Sequence, residues 1–527
     1  MAGSDASLIT CLKTDDPAVW TAMPHRVIRT CAWVVTIAAA ATLFTPGKAW
    51  AVAAFARQTG LACEACHTVF PELTPLGRRF KMSGYTWTPR EPLVADVIGT
   101  SPEKQETRLS LTDMPPIALL LQASYSTWQR SPPNSGVACP PGAGPSACSW
   151  TPSTTEGNSQ EGLALVPQQA SLLWAGKLGE KFGAWAQFTY FQQPVGPTTG
   201  GSFYIDNNDW RYSDHTQDRK WLWGVTLNNG PTVQDVWATG GASGLPSTAF
   251  GIPYFPIPAN LAAPFMAAPA ILTLGTNSAG LGAYVFYDDS LYLELSGYRS
   301  AKPGVLRLDN TPENIAWNGA GTIDGVAPYW RAAYEWNHKE HSFMVGTIGM
   351  YLHYAPPGVP SLSQAGYYTD AGLDSEYQYI GDVHIFTAEA MWLHESSSNN
   401  AAVVQPAGTV FANKSDNLDR VTLTGSYYYN RKYGGMISYG SLTGKADPLL
   451  YCAGVTQMYL PSCSGSPSSS WETLELDYLP ILNLKLFVQY NWFNKLGSGA
   501  NPFFHTDLPN AKASDNNTFV VALWFTF

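Results

Sequence analysis

Residues 518–527 read TFVVALWFTF. Successive side chains of an extended chain point to opposite sides, so Phe519, Val521, Leu523, Phe525 and Phe527 share one face. Upstream, Leu484, Leu486, Val488, Tyr490 and Trp492 alternate with Lys485, Gln489 and Asn491. Segments of about ten residues with one apolar and one polar face are the pattern of a strand that turns its apolar side to lipid.

Working back from this stretch, the same period-two pattern predicts strands at 117–128, 167–178, 182–192, 219–229, 232–240, 280–287, 290–299, 327–337, 341–354, 372–380, 383–395, 418–429, 433–442, 470–480, 484–494 and 517–527. Short turns at LGEK, NNGP, DDS, NHKEH, GD, NRKY and PILN alternate with connections of seventeen residues or more. That layout predicts an all-β transmembrane barrel of about 16 antiparallel strands in the outer membrane of a Gram-negative bacterium, short turns on the periplasmic side and long loops outside. A large soluble sandwich or propeller would also show short strands, but no blade repeat is present and the faces are rich in Tyr, Trp and Phe.

The 527 residues carry a net charge of -10 with only 13% charged side chains, which argues against nucleic acid as a partner. No glycine-rich turn followed by Lys-Ser/Thr suggests a nucleotide phosphate loop. An export signal is expected within residues 1–51: His25, Arg26 and Arg29 precede an uncharged apolar run from Cys31 to Phe44, and Ala49-Trp50-Ala51 forms a small-x-small cleavage site. Translation is expected to start at Met23, because residues 1–22 are polar and acidic. The division that follows is 1–51 leader, 52–116 a small N-terminal domain, and 117–527 the barrel.

Cysteine sorts with this division. Cys139 with Cys148, and Cys452 with Cys463, lie in Gly/Pro/Ser-rich loops of an exported chain and are expected as disulfides. Cys63, Cys66 and His67, in LACEACHTVF at 61–70, have the Cys-x-x-Cys-His spacing that attaches one haem c: two thiols for the vinyl groups and an imidazole for the iron. A redox pair or half a zinc site lacks its βαβ context or second cysteine pair. Met82 is the one Met or His between 68 and 113 and is the candidate second axial ligand, with Met114 or His215 as substitutes, or the position open. Arg57, Arg78, Arg79 and Lys81 are expected to pair with haem propionates or to attract an acidic partner.

The run from Phe55 to Tyr85, FARQTGLACEACHTVFPELTPLGRRFKMSGY, closely resembles the N-terminal signature of the fused monohaem cytochrome-porins, outer-membrane iron oxidases of iron-oxidising bacteria. The resemblance rests on Phe55 to Gly60, the haem triad, Phe70-Pro71, Leu73-Thr74-Pro75, Gly77-Arg78, Phe80-Lys81 and Gly84-Tyr85. Leu76 stands where Phe is expected, and Met82 where relatives carry Leu. The resemblance implies oxidation of extracellular Fe(II) and passage of the electron through the haem to a periplasmic carrier, a cytochrome or copper protein.

Residues 52–116 are long enough to plug the lumen of such a barrel or cap its periplasmic mouth. Asp206, Asp209, Asp214, His215 and Asp218, in a stretch expected as an external loop, are hard ligands suited to a transient divalent ion or else a solvated acidic loop. The apolar, Pro-rich segment 241–278 is expected over or inside the lumen. Two other functions fit the same sequence: a solute porin with a haem-bearing plug, and a surface redox protein acting on another donor or acceptor.

Overall fold

In the computed structural model, the described residues are 54–69, 72–87, 116–128, 136–138, 149–151, 162–191, 202–231, 235–239, 269–274, 278–300, 321–356, 359, 361–404, 410–452, 465–481, 483–495, 497 and 512–527. The expected leader, Met114, both disulfide pairings and most of segment 241–278 lie outside them.

One antiparallel sheet closes on itself. Its sixteen long strands are β1 (Ile117–Trp128), β2 (Gly162–Lys177), β3 (Phe182–Phe191), β4 (Ser202–His215), β5 (Trp221–Asn228), β6 (Ser278–Tyr287), β7 (Leu291–Ser300), β8 (Ala327–His338), β9 (His341–Ala355), β10 (Gly366–Ile380), β11 (His384–Ser398), β12 (Ser415–Tyr429), β13 (Tyr433–Gly444), β14 (Ser469–Ile481), β15 (Leu484–Lys495) and β16 (Thr518–Thr526). Each pairs with the next in sequence, and a two-residue strand at Thr322–Ile323 rides beside β9. Closure comes from β1 against β16, in register from Leu120↔Thr526 to Trp128↔Thr518. It satisfies the backbone groups that an open edge would leave bare to lipid.

The faces are inverted relative to a soluble protein. Outward positions carry Leu295, Ile437, Leu476, Trp336, Tyr427 and Tyr433. Inward positions carry Gln122, Ser171, Arg331, Glu376, Glu475 and Gln489, all buried. Aromatic side chains mark both ends of the outer face: Trp221 against Tyr287 and Tyr334 against Trp336 beside the short turns, Tyr351 against Tyr367 and Tyr490 against Trp492 toward the long loops. An apolar band between two aromatic girdles around a polar interior is the architecture of an outer-membrane barrel.

Two expectations are corrected. Residues 206–215 are not part of an external loop but the greater part of β4; the stretch is polar because Asp209, Arg211 and Ser213 face the lumen while Trp210 and Tyr212 alternate with them. The stretch 232–240 was expected as a strand. Its described part, 235–239, runs inside the barrel, where Val236 and Trp237 are buried. The two errors offset, which is why the expected count agrees with the observed one. Both the start of β1 and the end of β16 then lie at the short-turn end.

Leu476 lies near the middle of β14 on the outer face and is 61% exposed. Leu476→Arg is expected to lower folding stability in lipid vesicles by about 2–4 kcal/mol. Denaturant unfolding checks this, and no loss would show that this face does not meet hydrocarbon.

Candidate functional site

The segment 54–87 folds against the short-turn mouth. α1 (Ala54–Thr59) is followed by one 3₁₀ turn (Cys63–Ala65) and by α2 (Pro75–Met82). α2 starts where the sequence specifies: Thr74 caps it, accepting from Gly77 N–H at 3.2 Å, and Pro75 holds the first helical position, where no amide hydrogen is needed. Thr74 also donates from its hydroxyl to the Ala65 carbonyl at 2.7 Å, tying the helix start to the turn before it.

That turn brings the sequence triad together. The amides of Cys66 and His67 both donate to the Cys63 carbonyl, at 3.1 and 2.9 Å, so Cys63, Cys66 and His67 sit on one tight loop. Both cysteines are half-buried free thiols, and burial pushes their pKa values up, Glu64 adding to the effect at Cys63. His67 is fixed by a bridge to Leu73 and by its Nδ1, 3.2 Å from the Glu72 carbonyl, an arrangement that makes Nδ1 the protonated nitrogen and leaves Nε2 as the ligating one. Gly77 is required by close approach: a Cβ there would stand 2.2 Å from the Cys66 carbonyl oxygen. The Cys63–His67 loop and α2 are thus packed backbone to backbone. Two thiols, a ligand nitrogen and a glycine-lined contact suit covalent haem c.

Five contacts spread around the barrel hold the segment in the mouth. Arg57 donates to the Ile117 carbonyl at the start of β1, and Gln58 accepts from Lys177 N–H at the end of β2 at 2.8 Å. Arg79 pairs with Asp289 in the β6–β7 turn, and Glu64 lies 3.9 Å from Arg431 in the β12–β13 turn. Tyr85 stacks on Phe55, with ring centroids 5.3 Å apart, and donates to Asp209 of β4 at 2.6 Å.

The anchor is Arg78, which is fully buried. Its guanidinium donates to Glu335 of β8 at 2.9 Å, Ser342 of β9 at 3.0 Å, and Glu376 and Gln378 of β10 at 2.6 and 3.1 Å, as well as to the Leu73 carbonyl at 2.7 Å. Glu72 is buried beside it in sequence, taking bonds from Thr68 at 2.8 Å and Ser426 of β12 at 3.3 Å, and burial raises its pKa. Lys81 donates to the Asp235 carbonyl at 3.0 Å. The four cations of the segment therefore make bonds to the barrel and its inner loop.

Met82, the candidate second axial ligand, stands at the end of α2. It lies four residues after Arg78, on the same side of α2. Its side chain is 1% exposed, packed among Leu222, Trp237, Tyr284, Phe286, Tyr292 and Met344 of the barrel interior, and Tyr284 donates to its carbonyl at 2.6 Å. These contacts join α2 to the wall. The expected acidic loop also disperses: Asp209 pairs with Arg211, Asp214 with Lys181 and Asp218 with Thr216, and His215 lies at the short-turn end. Among the described residues, no three His, Cys, Asp or Glu side chains gather as a chelating group.

Sequence reasoning expected segment 241–278 over or inside the lumen, where its described residues 269–274 lie, but missed the earlier part of this inner loop between β5 and β6, residues 235–239, as a partner of the plug. Asp235 pairs with Arg331 at 3.2 Å, Trp237 donates to Glu335 at 2.9 Å, and Ala270 and Ile271 donate from their amides to Glu395 and Asp370, each at 2.6 Å. The signal available was the Val236-Trp237 pair, apolar but flanked by residues that break a clean alternation.

No family model and no curated protein matches the chain. Among solved structures, the chain is similar to the trimer form of OmpT, an outer membrane protein of Vibrio cholerae (9% identity, TM-score 0.39, 78% of this chain and 98% of that one). It is also similar to Salmonella typhi OmpF in complex with daunomycin (11%, 0.41, 78% and 97%) and to an anion-selective porin from Comamonas acidovorans (11%, 0.40, 78% and 98%). Likeness at this level says nothing of what the chain binds. By its own geometry, the protein is a porin-like outer-membrane barrel whose short-turn mouth is closed by its N-terminal segment.

Arg78→Gln removes one charge and leaves Glu335 and Glu376 facing each other, so it is expected to weaken plug docking by about 3–5 kcal/mol. Limited proteolysis within 54–87 and raised bilayer conductance report the release. Burial lowers the Lys81 pKa from 10.5 to about 8. Between those values the unfolded chain holds the proton and the folded one does not, so docking stability is expected to rise with pH, by at most about 1.4 kcal/mol per pH unit. Hydrogen exchange of α2 at pH 7 and 10 checks the sign, and Lys81→Met should flatten the slope.

Proposed function

We propose that this protein is an outer-membrane c-type cytochrome that oxidises extracellular Fe(II) and passes the electron to a periplasmic carrier. The observation that carries the proposal is the placing of Cys63, Cys66 and His67 on one turn, locked at the plugged mouth of a transmembrane barrel. It accords with the resemblance of residues 55–85 to the cytochrome-porins.

Cys63 and Cys66 would hold the haem as thioethers, and His67 Nε2 would ligate its iron. When bound, the haem supplies a one-electron couple between the aqueous lumen and the periplasm. The Glu72 carbonyl orients the imidazole and strengthens it as a ligand by accepting from Nδ1. Gly77 keeps α2 against the attachment loop, and Arg78 keeps both from sliding in the mouth. The wall and plug together bar Fe(III) from the periplasm, so the electron crosses and the insoluble product stays outside. A solute channel needs a clear lumen, whereas segments 54–87, 235–239 and 269–274 all bond to inward-facing groups of this one.

Stopped-flow mixing of the air-oxidised, detergent-purified protein with Fe(II), followed at the haem α-band, is the test. Reduction is expected in the wild type and absent in Cys63→Ser/Cys66→Ser. If dithionite reduces the haem while Fe(II) does not, at any pH from acid to neutral, the donor is not iron.

A further inference from the structure

We propose that a bulge in β4 forms a binding site for a hard divalent cation inside the lumen, with the Oδ1 atoms of Asp206 and Asn207 as its protein ligands. β3 and β4 pair in register from Phe182↔Tyr212 to Ala186↔Asn208, and again from Phe188↔Ile205 to Phe191↔Ser202. Between these runs Asp206 and Asn207 stand opposite Gln187 alone. An extra residue in one strand breaks the alternation of faces, so two consecutive side chains can point the same way.

Their partners show that they do. Asp206 Oδ2 accepts from the Thr189 hydroxyl at 3.1 Å, and Asn207 Nδ2 donates to Gln187 Oε1 at 3.1 Å. Gln187 and Thr189 are two apart on β3 and therefore share its lumen face. The bulge is held open by Asn229, whose side chain accepts from Asn208 N–H at 2.8 Å and donates to the Asp206 carbonyl.

What remains over points to a ligand. Asp206 Oδ1 and Asn207 Oδ1 have no hydrogen-bond donor among the described residues, and the two residues are 1% and 0% exposed. A buried acceptor left so costs about 1–3 kcal/mol. Two nearby amide donors are spent elsewhere: Gln187 Nε2 on Ser171 at 3.1 Å and Gln169 Nε2 on Ser171 at 2.9 Å. The basic residue of this strand, Arg211, is engaged by Asp209 at 2.8 Å. Two adjacent oxygen acceptors, one of them a carboxylate, suit a cation that prefers oxygen, such as Fe(II), Mn(II), Mg(II) or Ca(II), with water completing its shell. A single carboxylate sets a modest dissociation constant, on the order of 10⁻⁴–10⁻³ M, which fits a passing ion.

Position gives the site a use. Asp209, three residues along β4, holds Tyr85 of the plug, so Asp206 lies one step toward the long loops. An ion descending from outside would halt there, on the outer side of the plug. The assignment of Fe(II) as that ion rests on the proposed function, while cation binding does not.

Titration of the purified haem-loaded protein with Mn(II), read by loss of the free-ion electron paramagnetic resonance signal, separates the two. The wild type is expected to take up one sub-millimolar Mn(II) per chain, Asp206→Asn to weaken it at least tenfold, and Asn207→Asp to tighten it about tenfold, a gain that misfolding cannot produce. Equal Mn(II) binding by all three overturns the site, whatever Fe(II) does. With the site upheld, Asp206→Asn should raise the Fe(II) concentration for half-maximal rate of haem reduction by a similar factor, leaving dithionite reduction unchanged. Unaltered Fe(II) kinetics would overturn the site as the place of electron donation. Failure of Fe(II) to reduce even the wild type would remove the iron oxidase reading and leave the cation site standing.

Discussion

A guanidinium with no access to water fixes where the rest of this molecule can sit. Arg78 belongs to the N-terminal segment, yet both its carboxylate partners, Glu335 and Glu376, belong to the barrel wall, on strands more than 250 residues away in the chain. Removing either side leaves a buried charge uncompensated, at about 3–5 kcal/mol, whereas replacing the whole set by apolar groups would cost little. The network therefore contributes less to net stability than to position. α2 can dock in one rotation only, the one that gives Arg78 to β8 and β10, and that rotation also sends Met82 into the aromatic cluster beneath Tyr284.

The barrel tolerates such a network because its interior is polar. Water-soluble proteins bury apolar faces; here lipid takes them, and the inward positions are left for Asp, Glu, Arg and Gln. The same inversion explains what was legible in the sequence. Strands with a clean lipid face, such as β16 with Phe519, Val521, Leu523 and Phe525, were placed to within a residue or two. β4 was not, since the bulge at Asp206-Asn207 interrupts its alternation and its lumen face is as polar as a loop. Polarity marks a loop in a soluble protein but only a direction in a barrel.

The gathering of Cys63, Cys66 and His67 on one turn was legible because it is local, written in five consecutive residues. The packing of α2 was not. Where Met82 comes to lie depends on what stands across from the helix, and here that is Glu335 and Glu376. The cations followed the same logic. Arg57, Arg79 and Lys81 read as a patch in sequence and reach different parts of the barrel and its inner loop in space.

Two inner segments bond to the wall at different depths of the lumen. The plug occupies the short-turn mouth, and farther out Ala270, Ile271 and Leu274 bury themselves with Tyr298, Tyr329, Leu352 and Tyr368. Asp370 and Glu395 stand directly opposite each other on β10 and β11, and each receives one backbone amide of that loop. Each carboxylate thus accepts a backbone N–H that would otherwise be buried without a partner. The loop is held by carboxylates of the wall, as the plug is held by Glu335 and Glu376. One carboxylate-rich wall therefore positions both inner segments.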